Sequence, residues 1–163
     1  PRILLREYFK AENAQLYADL TAVAAGSTTT SATVYAEKLI DWIANLGTAN
    51  YMANVIIGTF AEWAALLKTT SGAGNAYSVP GGISIDPSGQ IRIAGIPYRA
   101  ANWVAAGKTI VADGTQAVLA IADPLRVEFF EQDQDNVIKN MITVRVECRC
   151  VLVVEQPGAF VFA

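Results

Sequence analysis

From Ile142 to Cys150 the chain alternates without a break between apolar residues (Ile142, Val144, Val146, Cys148, Cys150) and polar ones (Thr143, Arg145, Glu147, Arg149). Successive side chains of an extended strand point to opposite faces, so this period of two specifies a strand with one dry face and one charged face. At about 3.3 Å per residue it runs roughly 30 Å, long for a strand. Its outer row of Arg145, Glu147 and Arg149 is an alternating-sign ladder suited to pairing with another surface. The plainer reading of that row is a solvated strand face, because exposed ion pairs contribute little to stability.

Helical spacing dominates the first part of the chain. Leu5, Phe9, Leu16, Leu20 and Val23 predict a helix between Ile3 and Ala25, with Gly26 placed to end it. After a Ser/Thr linker from Ser27 to Ser31, Tyr35, Leu39, Trp42 and Leu46 fall at i, i+4, i+7 and i+11 and predict a second helix stopped by Gly47. Asn54 to Ile57 reads as a short buried strand. Thr59-x-x-Glu62 is a capping box opening a helix that carries Trp63, Leu66 and Leu67 and stops at Ser71-Gly72-Ala73-Gly74. From Gly81 onward the texture turns to β. Asp86-Pro87-Ser88-Gly89 predicts a type I turn between Ile83-Ser84-Ile85 and Gln90-Ile91-Arg92-Ile93. Asp113-Gly114 predicts a second hairpin, between Thr109-Ile110-Val111 and the run Ala117 to Ile121. Helices first and strands later indicate an α+β class. The tryptophans read as core before they read as binding platforms.

Charged residues make up only 17% of the 163 and apolar residues 53%, an excess expected to lie partly in contacts between chains. Twelve Lys and Arg against fifteen Asp and Glu leave no basic patch to drive non-specific nucleic-acid binding. There is no histidine, so the commonest general base and zinc ligand are missing. Gly107-Lys108-Thr109 ends like a phosphate-binding loop, but the earlier glycine is replaced by Asn102 and a strand follows where a helix must begin. Glu131, Asp133 and Asp135 alternate like a calcium loop, yet Asn136 and Ile142 stand where the turn Gly and the last Glu are required. Cys148 and Cys150, two apart on one strand, run parallel and do not readily close a mutual disulfide; with no second ligand pair they read as small buried hydrophobes in a reducing compartment. The stretch from Gly72 to Gly82 reads as a flexible loop ahead of an anion cradle. No cofactor and no metal are expected. No apolar run is long enough for a membrane span.

Several of these pieces occur together elsewhere. Asp135-Asn136-Val137-Ile138-Lys139-Asn140, the strand ending in Arg145-x-Glu147-x-Arg149, and Pro157-Gly158-Ala159-Phe160 resemble, in this order, the C-terminal end of tailed-bacteriophage major capsid proteins of the Hong Kong ninety-seven type. Ala53 to Trp63 resembles that family's strand, tight turn and Trp-bearing helix. Ile93-Ala94-Gly95-Ile96-Pro97-Tyr98 is similar to its Gly-x-Pro strand, and Gly107 to Asp123 to its double β segment. The match covers about residues 48–163.

The resemblance implies a non-enzymatic shell subunit of a phage or prophage, in an α+β fold of two intergrown lobes. A peripheral lobe would hold residues 1–47, including the end of a long spine helix, and the strands of 127–155. An axial lobe would hold 48–126 and the terminal strand of 156–163. The family's N-terminal arm and extended loop have no counterpart here, and a chain starting at Pro1 is expected to be a processed or truncated subunit. Lateral contacts are expected at Arg145, Glu147 and Arg149 and at the axial loop with Gly72, Gly74, Gly81 and Gly82. Implied partners are further copies of the subunit, a scaffold, a maturation protease and a portal, around DNA that is enclosed without specific binding. The implied setting is the virion, assembled in the host cytoplasm. Some relatives weld subunits through an isopeptide bond, for which Asn140 would be the acceptor and Glu147 the proton acceptor; the plainer roles of these two are a turn and an ion pair. Alternatives are an encapsulin-like nanocompartment shell and, from another class, a nucleotide-binding or enzymatic domain.

Overall fold

The computed structural model describes residues 2–22, 26, 28, 30, 32, 34–68, 82–132 and 136–162. In chain order the elements are α1 (Arg2–Thr21), α2 (Tyr35–Thr48), β1 (Val55–Gly58), α3 (Phe60–Leu67), β2 (Ile83–Ile85), β3 (Ile91–Ile93), β4 (Ile96–Ala100), β5 (Ile110–Ala112), β6 (Ala117–Phe130), α4 (Asn136–Lys139), β7 (Thr143–Val154) and β8 (Phe160–Phe162). Six strands form one sheet in the order β2-β3-β4-β1-β5-β8, and β6 and β7 form a separate two-stranded ribbon. The β1–β4 pair is parallel; the other pairs are antiparallel.

The predicted stripe of α2 is the one that buries: Ala36, Leu39, Trp42 and Leu46 face the sheet, where Ile56, Ile91, Ile93, Val111 and Val161 complete the core. This helix packs on β3, β5 and β8, whereas α1 packs on β7. Thus the apolar face of α2 covers the six-stranded sheet. Gly47 does not stop α2; it lies inside the helix. Asn50, at φ +65°, takes the left-handed position, with Asn50 N–H bonded to Gly47 O at 3.1 Å and Tyr51 N–H to Leu46 O at 2.9 Å.

Thr59 caps α3 as expected: its hydroxyl accepts from the Glu62 N–H at 3.3 Å, and the Glu62 carboxylate accepts from the Thr59 N–H at 2.8 Å. The stop expected at residues 71–74 lies outside the described residues. The β2–β3 hairpin also forms, closed by Gly89 N–H to Asp86 O at 2.8 Å, with Gly89 at φ +78°. Ala94 and Gly95, both at positive φ, make the two-residue turn from β3 into β4.

The hairpin expected at Asp113-Gly114 does not form. A two-residue turn of that kind needs positive φ at both positions, but Asp113 sits at φ −88° and its carboxylate caps a short 3-10 turn over Gly114–Gln116. That turn carries the chain out of the sheet: β5 pairs with β1 and β8, while β6 pairs with β7. The ribbon register runs from Ala117↔Val154 to Phe130↔Thr143, broken around Asp123 by a bulge that holds Pro124. The expected boundary at 126/127 therefore falls within β6.

Candidate interface on the β6–β7 ribbon

Strict alternation along β7 gives the ribbon two distinct faces. Val144, Val146, Cys148 and Cys150 share a face with Ile121, Val127 and Phe129 of β6, and α1 covers part of it. The opposite face is charged toward the hairpin end and apolar toward the sheet end, where Val118, Val151 and Val153 lie.

The expected ladder exists, and its partners stand on β6 of the same chain. Arg126 Nη2 lies 2.6 Å from Glu147 Oε1, Arg145 Nη2 lies 2.8 Å from Glu128 and 3.1 Å from Glu147, and Arg149 Nε lies 3.3 Å from Asp123. Arg145 also sits over the Phe130 ring, 5.5 Å from its centre. The hydrogen bond from Arg126, reinforced by Arg145, holds the Glu147 carboxyl below its usual range. A carboxylate stabilised in this way is a weaker base. Asp123, Arg126 and Glu128 could not be singled out from the sequence, since the Asp123-Pro124 interruption hides the period of β6.

At the hairpin end, Asn136 donates through Nδ2 to Phe130 O at 3.2 Å and to Thr143 Oγ1 at 2.7 Å, closing the mouth of the ribbon. Asn140 follows α4 in left-handed backbone at φ +51°, a turn position that suits Asn. Asn140 thus makes the turn, while the side-chain hydrogen bonds at this end are made by Asn136. Ile138, Met141 and Ile142 are exposed around this tip.

Both ribbon faces leave apolar side chains uncovered, including Phe129 at 69%, Ile121 at 58% and Val151 at 58% exposure. A two-stranded ribbon is not stable on its own, so uncovered apolar side chains on it call for cover.

The remaining sequence candidates lie elsewhere. Gly72, Gly74 and Gly81 fall outside the described residues; Gly82, at φ +91°, leads into β2 and accepts from Ala94 N–H at 2.7 Å. Thr109 is buried, 2.6 Å from the Tyr35 hydroxyl and 3.4 Å from Glu62, in a network that includes Tyr98. Its burial and the strand that follows leave the Gly107 turn without the geometry of a phosphate cradle. Desolvation pushes the Tyr35 phenol up to about 12. Glu131 is exposed at the end of β6, and Asp133 and Asp135 lie outside the described residues. Cys148 and Cys150 are free thiols facing α1, where Glu12 joins them, a third donor invisible to a search by sequence spacing.

The sequence profile of the Phage capsid family matches residues 11–163. No curated protein matches the chain. Among solved structures, a virus-like particle from Pyrococcus furiosus superposes with TM-score 0.58 at 13% identity, covering 94% of this chain and 62% of that one. A structure from Mycobacterium phage Bobi superposes with TM-score 0.59 at 14% identity, covering 88% of this chain and 48% of that one. The chain thus spans less than two thirds of the length of both, and the shared feature is the α+β fold of the Hong Kong ninety-seven type. With its profile matched over residues 11–163, the chain belongs to the phage capsid family.

Proposed function

We propose that the chain is the shell-forming part of a phage or prophage major capsid subunit, which associates laterally with copies of itself to enclose DNA. The observation that carries this reading is the ribbon: a long two-stranded element with uncovered apolar residues on both faces, in a member of the capsid family. Neighbouring subunits would cover Val118, Val151 and Val153 and extend the ion-pair row of Arg145, Glu147 and Arg149. A net charge of −3 supports a wall that contains nucleic acid without gripping it. Family membership implies a structural role, not a catalytic one. A division into a peripheral and an axial lobe, with the loop of Gly72, Gly74, Gly81 and Gly82 at the capsomer centre, belongs to the same proposal. So do scaffold, protease and portal as assembly partners, and assembly in the host cytoplasm.

The test is protein mass spectrometry and electron microscopy of particles purified from the native source. This chain is expected to be the principal protein of closed, DNA-filled shells. Its absence from such particles would overturn the proposal, and shells holding a packaged enzyme and no DNA would reassign it to a nanocompartment.

A further inference from the structure

Two thiols and a carboxylate converge where α1 crosses β7. The donor atoms of Glu12, Cys148 and Cys150 all lie within 4.8 Å of one another, and Cys150 Sγ is 3.8 Å from Glu12 Oε1. We propose that these three residues form a binding site for a thiophilic divalent cation of the zinc type, which pins α1 to β7.

The geometry that disfavours a disulfide favours a metal. Side chains two apart on a strand run parallel, so the two sulfurs cannot readily adopt disulfide torsions, yet they can both point at one ion. A tetrahedral ion with bonds of about 2.3 Å to sulfur sets its donors roughly 3.8 Å apart. A bond of about 2.0–2.2 Å to a carboxylate oxygen brings the sulfur–oxygen spacing to about 3.6 Å, close to the 3.8 Å between Cys150 Sγ and Glu12 Oε1, and the rest of the triangle needs to contract by no more than about 1.3 Å. Two sulfurs and one oxygen select zinc or cadmium over magnesium or calcium.

The surroundings suit the site. Tyr8 donates its hydroxyl to Glu12 Oε1 at 3.3 Å and so orients the carboxylate. A groove lined by Gln15, Leu16 and Asp19 opens beside the three donors and admits a water as fourth ligand. The Cys148 thiol donates to Asp123 O at 3.2 Å. On binding, both thiols release their protons to solvent, that bond is lost, and the cation takes two thiolates and one carboxylate in its place.

The test is a titration of the reduced chain with cobalt as a spectroscopic probe and with zinc, magnesium as control. One cobalt per chain with thiolate charge-transfer and tetrahedral ligand-field bands is expected, displaced by zinc and untouched by magnesium. Glu12→Gln should weaken zinc binding by at least about tenfold, a loss that even outer partners of metal sites can produce. Cys148→Ser and Cys150→Ser should each at least halve the thiolate bands and weaken binding. Absence of those bands in the parent chain, or zinc affinity unchanged in Glu12→Gln, overturns the proposal. Should a cysteine variant fail to fold, thiol reactivity of the parent chain decides: protection of both thiols by zinc but not magnesium supports the site, and equal reactivity in the two refutes it.

Discussion

The Tyr98 hydroxyl stands where a side chain on Gly58 would begin: a Cβ added to Gly58 would lie 2.0 Å from Tyr98 Oη and 3.0 Å from Glu62 Oε2. Gly58 ends β1, whose parallel partner is β4, and Tyr98 is a buried core residue of β4. The glycine is therefore required by close approach between neighbouring strands, where the Tyr98 hydroxyl also lies 3.4 Å from Thr59 O. Gly58→Ala should cost about 1–3 kcal/mol through overpacking. Thermal unfolding is the check, with each kcal/mol lowering Tm by about 2–4 °C in a chain of this size. An unchanged Tm would show that Tyr98 can swing away freely.

Trp42 and Trp63 read alike in the sequence but differ in the fold. Trp42 is 6% exposed at the centre of the core, its indole N–H bonded to Thr28 O at 3.2 Å, whereas Trp63 is half-buried at the margin. Trp42→Ala should cost about 3–5 kcal/mol and Trp63→Ala clearly less. Chemical denaturation of the two variants tests the order, and equal losses would place Trp63 deeper than its exposure indicates.

Asp113 ties the β5 exit to the start of β1. Its Oδ1 accepts from the Thr115 hydroxyl at 2.6 Å, the Thr115 N–H at 3.1 Å and Asn54 Nδ2 at 3.3 Å, and its Oδ2 accepts from Met52 N–H at 3.4 Å. The Thr115 hydrogen bond is the main reason its carboxyl titrates below the usual range. A depressed folded-state pKa means that the stabilisation is complete above the unfolded value, near 3.9, and fades as pH falls through the folded one. Asp113→Asn puts an amide N–H against the Met52 N–H, so it should cost about 1–3 kcal/mol at neutral pH and flatten the acid limb of the stability profile. Unfolding curves between neutral and strongly acid pH measure both effects; a parent-like acid limb in the variant would clear Asp113 of the role.

How much of this was legible depended on the range of the signal. The α2 stripe, the Thr59–Glu62 box and the Asp86–Gly89 turn are set by residues a few positions apart, and all three form as the sequence predicts. Asp113-Gly114 misled because the dipeptide's hairpin preference is local, while the pairing of β5 with β1 and β8 is not. Gly47 misled because Asn50, also able to take left-handed backbone, stands three residues on. On the ribbon, alternation fixed the faces of β7 but could not reveal its partners: Asp123, Arg126 and Glu128 sit beside a bulge, and Glu12 reaches Cys150 from the other end of the chain.

The charged and apolar ends of the outer ribbon face should separate stability from association. Arg126 and Glu147 make a short ion pair, but Arg126 is half-exposed and Glu147 only partly buried, so solvent screens the pair and Glu147→Gln should lower Tm little. Val151 lies opposite Ala120, beside the Val118–Val153 pair, and 58% of it is exposed in the single chain. Val151→Asp removes little packing within the subunit and places a charge in the surface assigned to a neighbouring copy, where burying it unpaired is costly. The expected outcome is a folded variant with parent-like Tm that no longer enters shells. Sedimentation and electron microscopy report the shells, and circular dichroism reports the fold. Wild-type yields of closed shells from Val151→Asp would remove this end of the ribbon from the subunit interface.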